Sequence, residues 1–198
     1  MNRLARFAYI QARLQARHGS RPLELIWRQL DSQRKLANYL LFARGTSLRG
    51  WVISLHSHQD YHTIESTLTQ QFRSYIGEVA DWQVTHWRAA IRWIELLLDL
   101  PALQHLLMGN TAPAWMLENE QLKPFTGTNL TQRINAMQQS VYAPLVDAWM
   151  EGSDLRDAWL AQWRKRWFEP DSKLFPPMQL FVTLFLHYIG ATESLTAG

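Results

Sequence analysis

The sequence predicts an all-α protein, a helical bundle of stacked amphipathic hairpins, on three observations. Residues 63–107 keep a 3.6-residue apolar periodicity over the longest stretch in the chain. Elsewhere, apolar positions recur at helical spacing between Gly and Pro stops such as Gly19, Gly45, Gly109 and Gly152. The one run with β character, SLRGWVISL at 47–55, is broken by Gly50 and has no second strand to pair with, so short helix or irregular structure is expected there.

Taken in order, MNRLARFAYIQARLQARHG reads as a first helix closed by Gly19, with Pro22 opening the next. Arg3, Arg6, Arg13, Arg17 and Arg21 all precede the first acid, Glu24. The same Arg-rich, acid-free character would suit a mitochondrial presequence in a eukaryotic source, which is the competing reading of this end. No apolar run of secretory type follows the early arginines. Residues 22–44 read as one long helix with Leu23, Ile26, Trp27, Leu30, Ala37 and Leu41 inward, ended by Gly45.

Two central helices follow. In the first, Ile64, Leu68, Phe72, Tyr75, Ile76 and Val79 share a face, and Glu65, Thr69, Arg73 and Glu78 lie outside it. In the second, Trp87, Ile91, Ile94 and Leu98 form the apolar stripe, and Arg88, Arg92, Glu95 and Asp99 a polar one on which Arg92 and Glu95 should meet. Pro101 starts a short helix that stops at Gly109. Residues 110–128 lose the period and read as a crossing loop pinned by Trp115, Met116, Leu122 and Phe125.

A helix over 129–150 is expected to turn Leu130, Ile134, Met137, Val141, Leu145 and Trp149 inward and to kink at Pro144. DLRDAWLAQWRKRWF forms the next helix, ending before Pro170. The last, MQLFVTLFLHYI, is apolar almost all round, which predicts a buried helix; at about 12 residues it is short of the ~20 that span a bilayer. The expected organisation is one helical domain over 1–190, with an amino half 1–109, the crossing loop 110–128, a carboxyl half 129–190 and a disordered tail 191–198. Gln-Gln followed by Tyr-x3-Val-x2-Trp occurs at Tyr75, Val79, Trp82 and again at Tyr142, Val146, Trp149, an echo that would mean a duplicated hairpin if it is a true repeat.

Composition limits the chemistry. The absence of cysteine excludes disulfides, thiolate catalysis and Cys-ligated zinc or iron–sulfur sites, and fits a cytoplasmic protein. A net charge of +3 is too mild for a dedicated nucleic-acid binder. Ten Trp supply large aromatic anchors, each burying roughly 150–250 Å².

Three constellations could carry chemistry. In HSHQDYH, the residues His56, His58, Asp60 and His62 are candidate metal ligands; the order approaches His-x-His-x-Asp-His, with Tyr61 displacing the last histidine. On a helix, His58, His62 and Glu65 would share one face instead. The structural alternative makes Asp60 or Thr63 a helix cap. In WRKRWFEP, the cations Arg164, Lys165 and Arg166 beside Trp159, Trp163 and Trp167 are a candidate anion site for nucleic acid or anionic lipid, weighed against a Trp stripe turned to the core with a solvated basic face. The carboxylates Glu65, Glu78, Glu95 and Asp99 sit on stripes expected to face solvent. With no nucleophile triad or phosphate-binding glycine loop, no catalytic residue and no cofactor is assigned, and an enzyme is disfavoured.

The segment Tyr9-Ile10-Gln11-Ala12-Arg13-Leu14-Gln15-Ala16, with Ile64-Glu65-x2-Leu68 leading to Leu103-Gln104-His105-Leu106-Leu107, resembles the rotor-capping helical proteins of V/A-type ATPases, the C-type family of the archaeal and bacterial complexes and the d-type of the eukaryotic one. The resemblance spans residues 7–107. It implies an all-helical fold of repeated units without catalytic residues, and partners in the membrane rotor ring and central shaft. The functional expectation is therefore a helical adaptor that works by protein contact.

Overall fold

A computed structural model describes residues 3–83 and 85–167, and every element among them is helical. The chain divides into two compact units, Met1–Leu98 and Asp99–Gly198, and residues 110–128 belong wholly to the second. The expected last helix at 178–189 and the tail at 191–198 lie outside the described residues.

In the first unit, α1 (Arg3–Gly19) is followed by α2 (Glu24–Asp31), α3 (Leu36–Arg44), α4 (Arg49–Val52), α5 (Tyr61–Trp82), α6 (Thr85–Arg92) and a 3₁₀ helix (Trp93–Asp99). The long helix expected over 22–44 is two helices. Its break has a local cause: the Ser32 hydroxyl donates to the carbonyl of Gln29, the Gln33 N–H turns back to Leu30, and Lys35 is extended. A serine that satisfies a helix carbonyl with its own side chain competes with the backbone ladder.

That break changes which apolar residues reach the core. Leu30, Leu40, Ala43, Val52 and Leu55 form a buried cluster, with Ile26, Tyr39, Phe42, Leu48, Trp51 and Ile64 packed around it. Leu23, Trp27 and Leu41, expected inward, are exposed. Residues 47–55 contribute only the one-turn α4, as a lone β-like run with no partner strand should.

α1 is held to α5 by its arginines. Arg13 Nη2 and Arg17 Nη2 donate to the two carboxylate oxygens of Glu78 at 3.2 and 2.7 Å, and both guanidinium groups lie over aromatic rings of α5. At the turn into α6, Arg92 pairs with Asp81 at 2.8 Å, a partner the helix-face reading of Arg92 and Glu95 does not anticipate. From Trp93 the chain tightens to 3₁₀, so the α-helical spacing assumed for Ile94 and Leu98 no longer holds; Ala90, Ile91 and Trp93 are the buried positions.

The second unit holds α7 (Leu100–Leu107), α8 (Ala114–Glu118), a 3₁₀ turn (Lys123–Phe125), α9 (Leu130–Gln138), α10 (Ala143–Met150) and α11 (Leu155–Trp167). α7 is apolar nearly all round and is correspondingly buried at Leu100, Leu103, Leu106 and Leu107. It stops at Gly109, whose φ of 79° is the left-handed conformation that glycine adopts without strain. The segment 110–128 is pinned by Met116, Leu122 and Phe125, all buried.

The helix expected over 129–150 is again two. Ser140 donates to the Met137 carbonyl and accepts from the Tyr142 N–H, and Pro144 falls in the first turn of α10, where its missing N–H costs nothing. The outcome is a turn rather than a kink. It leaves Leu130 and Val141 exposed while Met137 and Leu145 are fully buried. The two echoing segments consequently differ in local structure: the first runs inside α5, and the second crosses the α9–α10 turn.

Candidate functional site

At the 56–62 junction the structure uses the side chains for local order. The His56 N–H donates to Gln59 Oε1 at 2.7 Å, and the His56 and His58 rings stack with centroids 5.4 Å apart. Asp60 caps α5. Its two oxygens accept from the Thr63 N–H and the Thr63 hydroxyl, and these bonds hold its pKa below the ordinary carboxylate value. His62 stands edge-on to Tyr61. His56, His58, Asp60 and His62 do not converge on a point, nor do His58, His62 and Glu65. Among the described residues no three His, Asp or Glu side chains are grouped closely enough to hold a metal ion.

In α11 the tryptophans form an internal ladder. Trp159 and Trp163 are buried and stacked at 5.3 Å, and Trp167 meets Trp163 edge to face at 6.0 Å. Arg164 and Arg166 are half-buried and Lys165 is exposed. Arg166 Nη1 donates to the carbonyl and side-chain oxygens of Gln162, and burial lowers its pKa. Lys165 borders an open groove of about 570 Å³ between α10 and α11, whose walls include Asp147, Glu151 and Asp157. A groove with three carboxylates is poorly matched to a polyanion.

The carboxylates expected to face solvent divide into three kinds. Glu78 is committed to two arginines. Glu95 is half-buried, and burial raises its pKa against the opposing pull of Arg92 and Arg73. Asp99 is only 4% exposed and accepts a hydrogen bond of 2.7 Å from the Tyr142 hydroxyl, so its place on a solvent stripe is corrected. The 3₁₀ turn rotates it inward, and Tyr142, released from the helix by the α9–α10 break, meets it.

Sequence reasoning missed Arg133, which is 6% exposed. Its guanidinium donates to three backbone carbonyls, those of Gly127, Leu106 and Asn110, at 2.7, 3.0 and 2.7 Å. The charge thereby closes the carboxyl end of α7, where the helix dipole favours a cation. The only hint in the sequence is a cation at the centre of an otherwise apolar helix face.

What remains for recognition is apolar surface. On the second unit Met108, Val141 and Met150 are 67, 61 and 57% exposed. On the first, α2 and α3 leave leucines and a tryptophan in solvent. Among the described residues no helix is long and apolar enough to cross a membrane.

The fold and these surfaces define an all-α protein built from two compact units of short helices. No family model, curated protein or solved structure matches the chain.

Proposed function

We propose that this chain is a non-enzymatic helical adaptor that acts by protein–protein contact within a membrane-associated complex, with a rotary ATPase as the leading partner. The observation that supports it is the exposure of Met108, Val141 and Met150 on the second unit, while that unit's polar chemistry is turned to structural ends. Flexible Met side chains suit adaptable contact surfaces. Arg133 and Asp99, the charged residues buried there, serve backbone carbonyls and a tyrosine hydroxyl. The rotary ATPase enters through the resemblance carried by residues 9–16, 64–68 and 103–107.

The test is gentle purification of the untagged protein from its native source, with co-purifying proteins and metal content determined by mass spectrometry on one sample. The reading expects a reproducible protein partner and no stoichiometric metal. Stoichiometric zinc, iron or manganese that disappears in the H58A/H62A variant would replace it with the metal-binding reading.

A further inference from the structure

The amino-terminal unit carries a second surface whose chemistry is different. Residues 1–59 contain ten Lys or Arg and only two acids, Glu24 and Asp31, in a chain whose total charge is +3. Arg13 and Arg17 of that set are spent on Glu78, and Arg28 pairs with Glu24. Arg21, Arg34, Lys35 and Arg49 are exposed, and among the described residues none of them has a carboxylate within ion-pair distance.

Apolar side chains protrude from the same helices. The stripe Leu23–Ile26–Trp27–Leu30 enters the core only at Ile26 and Leu30. Leu23, with 73% of its surface exposed, and Trp27 extend the apolar face of α2 beyond the core's edge. Leu25, Leu36 and Leu41 are exposed on the same helix pair. α2 packs on α3 and α3 on α4, so these leucines, the tryptophan and the cations belong to one part of the unit.

We infer that the α2–α4 face docks on the surface of an anionic lipid bilayer, with Leu23 and Trp27 entering the headgroup layer and Arg21, Arg34, Lys35 and Arg49 facing the lipid charge. Charge complementarity selects this occupant. The cations are of one sign and spread over three short helices and their connections, which fits a delocalised negative plane better than one localised acidic partner. A tryptophan flanked by leucines and cations is the composition found where an apolar surface meets lipid headgroups. This goes beyond the adaptor reading, whose contacts are on the other unit, and either can fail without the other.

The experiment is vesicle flotation of the full chain with phosphatidylcholine alone and with equal parts of phosphatidylcholine and phosphatidylglycerol. The wild type should float with the acidic vesicles, stay behind with the neutral ones, and release as salt is raised. L23S/W27S and R34E/K35E should each lower binding by about tenfold or more. All four residues are exposed, so circular dichroism and melting temperature should match wild type, and R21E/R49E provides a second reversal should one pair misfold. Absence of binding to acidic vesicles would overturn the inference, as would equal binding to neutral ones. Binding that every variant keeps would place the lipid contact elsewhere, for instance at Arg164–Arg166, and also overturn it. If vesicles are ignored but L23S/W27S loses a native protein partner, the face is a protein interface instead.

Discussion

The guanidinium carbon of Arg13 lies 3.9 Å from the centre of the Trp82 ring, while the same side chain donates to Glu78. The arginines that make the amino end so basic are therefore partly consumed in fastening α1 to α5. Each bond is modest: a half-exposed ion pair contributes ~0–1 kcal/mol and a cation–π contact about 0.5–1 kcal/mol. R13A/R17A should release α1 without unfolding the unit. Hydrogen exchange would show it as lost amide protection confined to residues 3–19, with α5 protection retained.

Arg133 should behave differently, because its loss strands buried carbonyls. R133M is expected to destabilise the protein by about 3 kcal/mol in urea titration, from three lost charge-assisted bonds and the desolvated oxygens left behind. R133K should restore little, since an ammonium lacks the planar fork that reaches Gly127, Leu106 and Asn110 together.

The stacked Trp159–Trp163 pair gives a core prediction. W159A should cost about 3–5 kcal/mol, the range for emptying a buried tryptophan site. Reversing Lys165, which is exposed, should leave the melting temperature unchanged. Comparable losses from both would contradict the placement of α11.

Two carboxylates set opposite pH dependences. Asp60 has a lowered pKa in the folded state, so its cap stabilises the protein above the unfolded carboxylate pKa and is lost as pH falls through the lowered value. D60N keeps a capping oxygen and should flatten that acid dependence, whereas D60A should lose the cap at all pH values. Glu95 has a raised pKa, so its ionised form costs stability above that value, and the cost disappears as pH falls below it. E95Q should therefore be more stable than wild type at neutral pH, with the difference closing in acid; melting curves across about pH 3–8 would check both signs.

Much of the helical content is legible in the sequence because it depends on local periodicity and stop signals. Gly19, Gly109 and Gly152 end helices as expected, and Asp60 caps α5, which is the structural reading of the His-rich junction. Two long helices prove to be four for one reason. Ser32 and Ser140 turn their hydroxyls back onto helix carbonyls, an alternative that apolar spacing cannot register. Those breaks decide which leucines reach the core, so Leu23, Leu41 and Val141 read as inward by spacing although they face solvent.

The polar interior is harder to read. Asp99 and Tyr142 are 43 residues apart, and Arg133 reaches carbonyls 23 and 27 residues away. Such pairings follow from tertiary packing. By contrast, the cations and apolar residues of α2–α4 are visible in the sequence, but their joint exposure follows only once the helix break at Ser32 is known.

The central claim is that the exposed apolar residues of the second unit hold a protein partner. The most direct measurement is the mass of the assembly isolated from the native source, by native mass spectrometry, for wild type and for V141D/M150D. The account predicts a wild-type assembly heavier than the 23.2 kDa chain by a fixed partner, and a variant that folds normally but is recovered alone. A wild-type chain recovered alone, or a variant that retains the same partner, would contradict it.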